Sequence, residues 1–362
     1  RRVPALLIGR CCRRIRRHRL WRQLRRQLAV FCGAFCYNHH ADFYYSIETA
    51  IWPLVRIGES VAQRLGALLV CLVILLTASV VFVFYTCLLP AVYFESRLRC
   101  LWHLLFGHWL LVNIVFHYYC AAFSDPGSPP AGCTFPVVGV CRRCVAPKPP
   151  RAHHCAVCKR CVLRMDHHCP WINSCVGLYN YKHFVLFCVY MLAGCVYVAL
   201  VAAPVYNDHF YSWDRDDDVD AASIDASTFM AAERPALDWL FQYATVHHMV
   251  YYEIVLTSAV ALVLGCLTAY HVFLASRNET CIETHINRRM AKSMLAKGLT
   301  YRNPYDLGWR KNLRQALCID APGRSFWRHV LLPSTCPPVS DGLSYPTTLM
   351  SVDDVIEDIS VV

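Results

Sequence analysis

Charge is what this 362-residue chain has least of. Asp, Glu, Lys and Arg make up 17% of it, while apolar residues make up 56%. An average soluble domain carries about 25% charge. A water-soluble globule and a charged disordered chain are therefore both poor fits. No Walker-type phosphate loop, dinucleotide-binding glycine loop, HExxH zinc-hydrolase pair or internal repeat occurs, which removes the sequence-readable nucleotide-binding, zinc-protease and solenoid classes. Acidic residues are the scarcer sign, 25 against 36 basic, for a net charge of +11. The sequence opens on Arg1 rather than Met, so the lack of a secretory signal there excludes nothing.

Where charge is missing altogether, the gaps have a common length. Residues 66–94, 100–123, 184–207 and 254–276 contain no Asp, Glu, Lys or Arg. Each reaches the ~20 apolar residues that cross a bilayer as a helix. The second holds His103, His108, His117 and Asn113; such groups are costly in lipid and are expected to face other helices. Basic residues flank the runs unevenly. There are eleven arginines in 1–26, eight Lys or Arg in 124–182 and eleven in 277–362, against two arginines and nine acids in 207–245. By the positive-inside rule the first three segments are cytosolic and 207–245 is lumenal. The positive charge then faces anionic headgroups, and no nucleic-acid partner is needed to explain it.

Cysteine is abundant where charge is not. Residues 141–175 hold seven cysteines and four histidines. The spacing reads Cys141-x2-Cys144, Cys155-x2-Cys158-x2-Cys161, Asp166-His167-His168-Cys169 and Cys175. In a reducing cytosol such clusters are metal ligands or catalytic thiols rather than disulfides. Two tetrahedral zincs, each with three cysteines and one histidine, use six cysteines and two histidines. Spacing does not say which ligands share a metal. Cys169 is the cysteine to spare, and an acid and a base stand beside it, the company of a nucleophile.

The run from Cys141 to Phe184 resembles the cysteine-rich domain of the DHHC protein S-acyltransferases, or palmitoyltransferases. The motifs that carry the likeness are Lys148-Pro149-x-Arg151, His154-Cys155, Asp166-His167-His168-Cys169-Pro170-Trp171, Cys175-Val176-Gly177 and Asn180. Asn303-Pro304-Tyr305 and the HYYC stretch look most like the Abl-philin branch. The resemblance implies that one structural zinc takes Cys141, Cys144, His154 and Cys161, and the other Cys155, Cys158, His168 and Cys175. It implies a nucleophile in Cys169, a base in His167 and an orienting acid in Asp166. The acyl donor would be palmitoyl-CoA or a similar fatty acyl-CoA, the acceptors substrate proteins with membrane-proximal cysteines, and the location endoplasmic reticulum or Golgi. Trp171 would shield the thioester from water. Lys148 and Arg151 would meet the CoA phosphates, and Asn303 would pin the tail against the site. Where the family has Thr-Thr-x-Glu this chain has Thr280-Cys281-Ile282-Glu283, which puts a hydrogen bond to Asp166 in question. Ser174 stands where the family has Asn, and reduced rigidity is expected there.

The fold expected is an all-α polytopic membrane protein with four transmembrane helices and a cytosolic, loop-rich, two-zinc cysteine-rich domain. Its parts would be a cytosolic Arg-rich segment 1–65, helices one and two in 66–123, the catalytic domain 124–183, helices three and four in 184–276 around the lumenal loop 207–245, and a cytosolic segment 277–362. Asp125-Pro126-Gly127 reads as a packing turn. Gly194, with Thr77, Ala78 and Ser79 at comparable depth, either lets helices touch or leaves room for an acyl chain. Cys11, Cys12, Cys32 and Cys36 are candidates for acylation. The final Ser360-Val361-Val362 could join a PDZ groove as a strand. The alternative function is a catalytically silent, zinc-stabilised scaffold, which would need the zinc ligands but not Cys169.

Overall fold

The computed structural model describes residues 43–130, 139–216 and 226–348, with Arg22, Arg25 and Arg26 besides. The four N-terminal cysteines and the final Ser-Val-Val lie outside these. The chain divides into two units, residues 1–65 and Gly66–Val362. The four uncharged runs and the cysteine block all fall in the second.

Helix α1 covers Phe43–Val83, a π-helical turn follows at Phe84–Leu88, and α2 covers Leu89–Glu95. Pro90 explains the interruption: it has no N–H to give the preceding turn, so the helix rewires its bonds there. Ser96 is extended, accepts a hydrogen bond from the Arg99 N–H and caps α3, Arg97–Phe123. Helices α4, Tyr181–Asp216, and α5, Ala226–Ser276, complete the bundle. Four stretches are long and apolar enough to cross a membrane: Leu65–Glu95, Arg97–Phe123, Tyr181–Asn207 and Thr245–Ser276.

The segment 207–245, expected between the third and fourth spans, is helical in part. Helix α4 runs on to Asp216 and α5 begins at Ala226. The start of α5 is rich in Ala, Phe, Met and Leu, and alanine favours helix even without a partner surface. The fourth span therefore starts nine residues earlier than the uncharged run, and takes in Glu253.

Between α3 and α4 lie three two-stranded antiparallel hairpins: β1 Gly139–Cys141 with β2 Ala146–Lys148, β3 His153–Cys155 with β4 Arg160–Val162, and β5 His167–Cys169 with β6 Ser174–Val176. Hairpins this short are not stable alone. One apolar core holds the last of them to the bundle. It joins Cys169, Ile172 and Val176 to Ile114 and Tyr118 of α3, to Phe184 and Phe187 of α4, and to Ile319 and Val330 of the tail. The Asp125-Pro126-Gly127 turn behaves as expected. Gly127 sits at φ +101°, its N–H donates to Asp125 Oδ1, and a Cβ there would fall 2.9 Å from Tyr179. After α5 come α6 Cys281–Leu295, α7 Trp309–Ala316 and α8 Phe326–His329.

Candidate active site and metal centres

Strand register sorts the ligands. In the β3–β4 hairpin His154 faces Cys161, and in β5–β6 His168 faces Cys175. Each histidine is thereby set beside a cysteine of its own group. Two clusters result, Cys141–Cys144–His154–Cys161 and Cys155–Cys158–His168–Cys175, with ligand atoms all within 4.8 Å of one another in each. The Cys175 and Cys158 sulfurs are 3.4 Å apart and those of Cys161 and Cys144 3.7 Å. A tetrahedron with ~2.3 Å Zn–S bonds has sulfur–sulfur edges of about 3.8 Å. Backbone N–H groups of Cys144 and Cys158 donate to the Cys141 and Cys155 sulfurs, as suits thiolates. Three sulfurs and one imidazole per cluster fit zinc, with no position left for water. The turns that bring the cysteines together put Val145 and Lys159 at positive φ, 50° and 56°, an uncommon state for side chains of that size that metal binding energy can hold.

Alternation along β5 separates the remaining groups. Successive side chains of a strand face opposite ways. His168 turns to the second cluster, while His167 and Cys169 share the other face. Asp166, fully buried, accepts from His167 Nδ1 at 2.6 Å. Burial disfavours charge on both groups. For His167, hydrogen bonds with Asp166, Cys169 and Cys281 outweigh it and hold the imidazole well above its ordinary value. For Asp166, the His167 bond outweighs it and keeps the carboxylate low. The pair is thus an oriented ring next to a committed anion, and the bonds that favour its charged form suit it to hold a proton taken from a thiol.

The replacement at position 281 keeps its bond. The Cys281 N–H donates to Asp166 Oδ1 at 2.8 Å, and the Cys281 thiol lies 3.1 Å from Asp166 Oδ2. Cys281 is the first residue of α6, fixed by a capping box in which Thr280 and Glu283 satisfy each other's backbone N–H groups. Ser174 lies in β6 opposite Cys169.

Cys169 is buried and opens on a cavity of about 480 Å³ between the four spans. Trp171, in the short turn after it, lines the same cavity, and its carbonyl accepts from Tyr118 Oη at 3.0 Å. Thr77 and Gly194 line the cavity too; a Cβ on Gly194 would come 3.0 Å from Ile114 Cδ1. Ser79 instead bonds Leu76 O and Tyr252. At the far end His103 Nδ1 and Tyr197 Oη are 2.6 Å apart.

Arg151 and Asn303 are both committed to partners within the protein. Arg151 does not face a soluble phosphate. Its side chain is 2% exposed, and it forms a two-pronged ion pair with Glu283, at 2.6 and 2.7 Å, and donates to Asn278. The rings of Tyr305 and Tyr345 cover it at 4.3 and 5.0 Å. With the β-ribbon block on one side and α6 on the other, Arg151 is a fastener. Asn303 is likewise spent on backbone, donating to Arg277 O and accepting from the Tyr305 N–H. It thereby ties the tail to the residue that follows the end of α5. Lys148 ends β2, half-buried. The residue that sequence reading missed is His271, 1% exposed in the fourth span, with Nδ1 3.9 Å from Asp166 Oδ2 and its ring 5.6 Å from that of His167. The signal was a lone histidine in an apolar run.

Comparison with known proteins agrees with this geometry. A family model described as DHHC palmitoyltransferase matches residues 138–288. Palmitoyltransferase ZDHHC16A of Danio rerio is 36% identical over 361 residues, covering 92% of each chain. Palmitoyltransferase ZDHHC16 of Homo sapiens is 37% identical over 319 residues, 87% of this chain and 84% of the relative. Probable protein S-acyltransferase 12 of Arabidopsis thaliana is 32% identical over 239 residues, 61% of this chain and 69% of its own.

Proposed function

The chain belongs to the DHHC palmitoyltransferase family, and from that premise we propose how its own residues carry the acyl group. Cys169 attacks the thioester of a fatty acyl-CoA. The carbonyl carbon forms a bond to sulfur, the CoA thiolate leaves, and the acyl group rests on Cys169 as a thioester. A substrate cysteine thiolate then attacks that thioester, and Cys169 leaves as thiolate. His167 takes the proton of the attacking thiol in each half and returns it to the departing one. Asp166 holds the ring by Nδ1, so that Nε2 is the nitrogen that exchanges protons. The observation that carries the reading is the position of Cys169: a cysteine outside both metal clusters, at the mouth of an apolar cavity, on the same strand face as an oriented imidazole.

The cavity suits the acyl chain. Phe184 and Val198 both line it, a separation of about 21 Å along a helix. Sixteen carbons extend about 20 Å. Trp171 stands where it can keep water from the thioester. Lys148 remains the candidate cation for the CoA phosphates. The zincs hold the hairpin block in shape and take no part in the transfer. The basic flanks favour a cytosolic zinc block and cytosolic chain ends, on the side where CoA is found, and the family resemblance favours endoplasmic reticulum or Golgi membranes. Substrate proteins would offer cysteines close to the bilayer, since Cys169 meets the helices at that level. A scaffold would have no use for Cys169 or for the Asp166–His167 bond. The test is incubation of the purified protein with labelled palmitoyl-CoA. Hydroxylamine-labile label on the wild type and none on Cys169→Ser supports the reading. Equal label on both contradicts it.

A further inference from the structure

Asp166 Oδ2 is surrounded by more donors than a catalytic pair needs. His167 Nδ1 lies 2.6 Å away, the Cys281 sulfur 3.1 Å and His271 Nδ1 3.9 Å. One ligand atom from each of the four residues falls within 4.8 Å of the other three. The ligand atoms of the two structural clusters fall within the same limit. His271 is an anomaly on its own. It is 1% exposed, yet its Nδ1 has no hydrogen-bond partner among the described residues. A polar atom left so costs about 1–3 kcal/mol. It points at the carboxylate from just beyond hydrogen-bonding distance.

The donor set has a chemical preference. One thiol, two imidazoles and a carboxylate are ligands for zinc in tetrahedral geometry, and poor ones for calcium or magnesium. The soft ligand is Cys281, the position at which this chain departs from the Thr-Thr-x-Glu pattern. A hydroxyl there could still donate to Asp166 but would be a weak metal ligand. The four residues come from three elements that are already fixed. The β5 hairpin carries Asp166 and His167, the α6 cap holds Cys281, and the fourth span holds His271. Phe184 packs against both histidine rings, with centroids 5.2 Å from His167 and 4.9 Å from His271, which leaves a site walled on its membrane side.

We propose that Asp166, His167, His271 and Cys281 form a third, regulatory zinc site whose occupation switches acyl transfer off. The proposal rests on the reading of His167 as the base. Zinc in the site takes His167 Nδ1 and Asp166 Oδ2 as ligands and so removes the hydrogen bond that orients the imidazole. With one sulfur instead of three, and with ligands that must first give up hydrogen bonds to one another, the site binds zinc more weakly than the structural pair. It fills when free zinc rises and empties under mild chelation.

The experiment uses the full chain in detergent or nanodiscs, washed with a chelator until the metal count is constant, then titrated with zinc. Metal per chain is counted after removal of unbound ion, and self-acylation is measured at each zinc level. Wild type is expected to rise from two zincs to three, and Cys169→Ser to do the same, since Cys169 is not a ligand. Cys281→Ser and His271→Gln should stop at two. The zinc needed to halve the acylation of Cys281→Ser, relative to its own zinc-free rate, should rise by more than the ~10–100-fold that loss of a mere outer-shell partner costs a metal site. Wild type that saturates at two zincs overturns the proposal. So does a third equivalent that persists in Cys281→Ser, or inhibition that is unchanged in it. A third zinc without inhibition overturns the regulatory half. The count in Cys169→Ser is independent of catalysis, so a failure of the acyl-transfer reading would be seen separately.

Discussion

At the scale of residues, the chemistry turns on a division of labour within four consecutive positions. Strand alternation gives His168 to a metal cluster and His167 to Cys169, so neighbouring histidines have opposite fates. His167→Ala is expected to slow acyl-enzyme formation by roughly 10²–10⁴-fold, measured with labelled palmitoyl-CoA in single turnover. Normal kinetics in a folded His167→Ala protein would remove it from the mechanism. Cys175→Ala should instead lose a zinc and loosen the block, because ligand binding energy is folding energy there; metal analysis and limited proteolysis report both. Much of this was legible in the sequence, since cysteine spacing is a local property. The position of His271 was not. It becomes visible only when the fourth span is laid against β5, 104 positions earlier in the chain for His167. The bond kept by Cys281 was hidden for the same reason: it depends on where the α6 cap puts a backbone N–H.

At the scale of elements, the β-ribbon block and the tail are joined by few but buried contacts. Arg151 sits at positive φ, 60°, between two prolines and the second hairpin. Its guanidinium meets Glu283 at the start of α6. Removing one partner leaves an uncompensated buried charge, which costs about 3–5 kcal/mol. Glu283→Gln should therefore lower the thermal midpoint and expose the tail to protease, and loss of activity should follow from misplacement of Cys281 against Asp166. A Glu283→Gln protein as stable as wild type would show that the pair is not what holds α6. Sequence reading saw a basic loop and assigned Arg151 to phosphate, because a cation's partner 132 residues away cannot be read from spacing. The spans were legible from their lack of charge. The helical character of much of 207–245 was not, because acidic residues mask its alanine-rich second part. Within the bundle, Gly194 lines the cavity and faces α3, where an added Cβ would come 3.0 Å from Ile114 Cδ1. Gly194→Phe should shorten the preferred acyl chain with zinc content intact. An unchanged chain-length profile would assign Gly194 to helix packing alone.

At the scale of the whole molecule, a cysteine-rich block whose two clusters fit zinc packs on a bundle of four apolar helices, and the Cys169 thiol sits where they meet, beside the apolar cavity. A glycosylation acceptor inserted near Asp217 should be modified in microsomes and one near Val137 should not; the reverse would put the zinc block in the lumen, away from CoA. Everything else depends on a narrower point, that Cys169 is the acylated nucleophile and lies outside both zinc clusters. It is checked most sharply on one preparation of Cys169→Ser, counting zinc and labelled acyl group together after a chelator wash. Zinc near two per chain is expected, as in wild type, with no hydroxylamine-labile acyl group. Loss of zinc in Cys169→Ser would place that thiol in a metal site, and acylation that survives in it would place the nucleophile elsewhere; either result contradicts the mechanism.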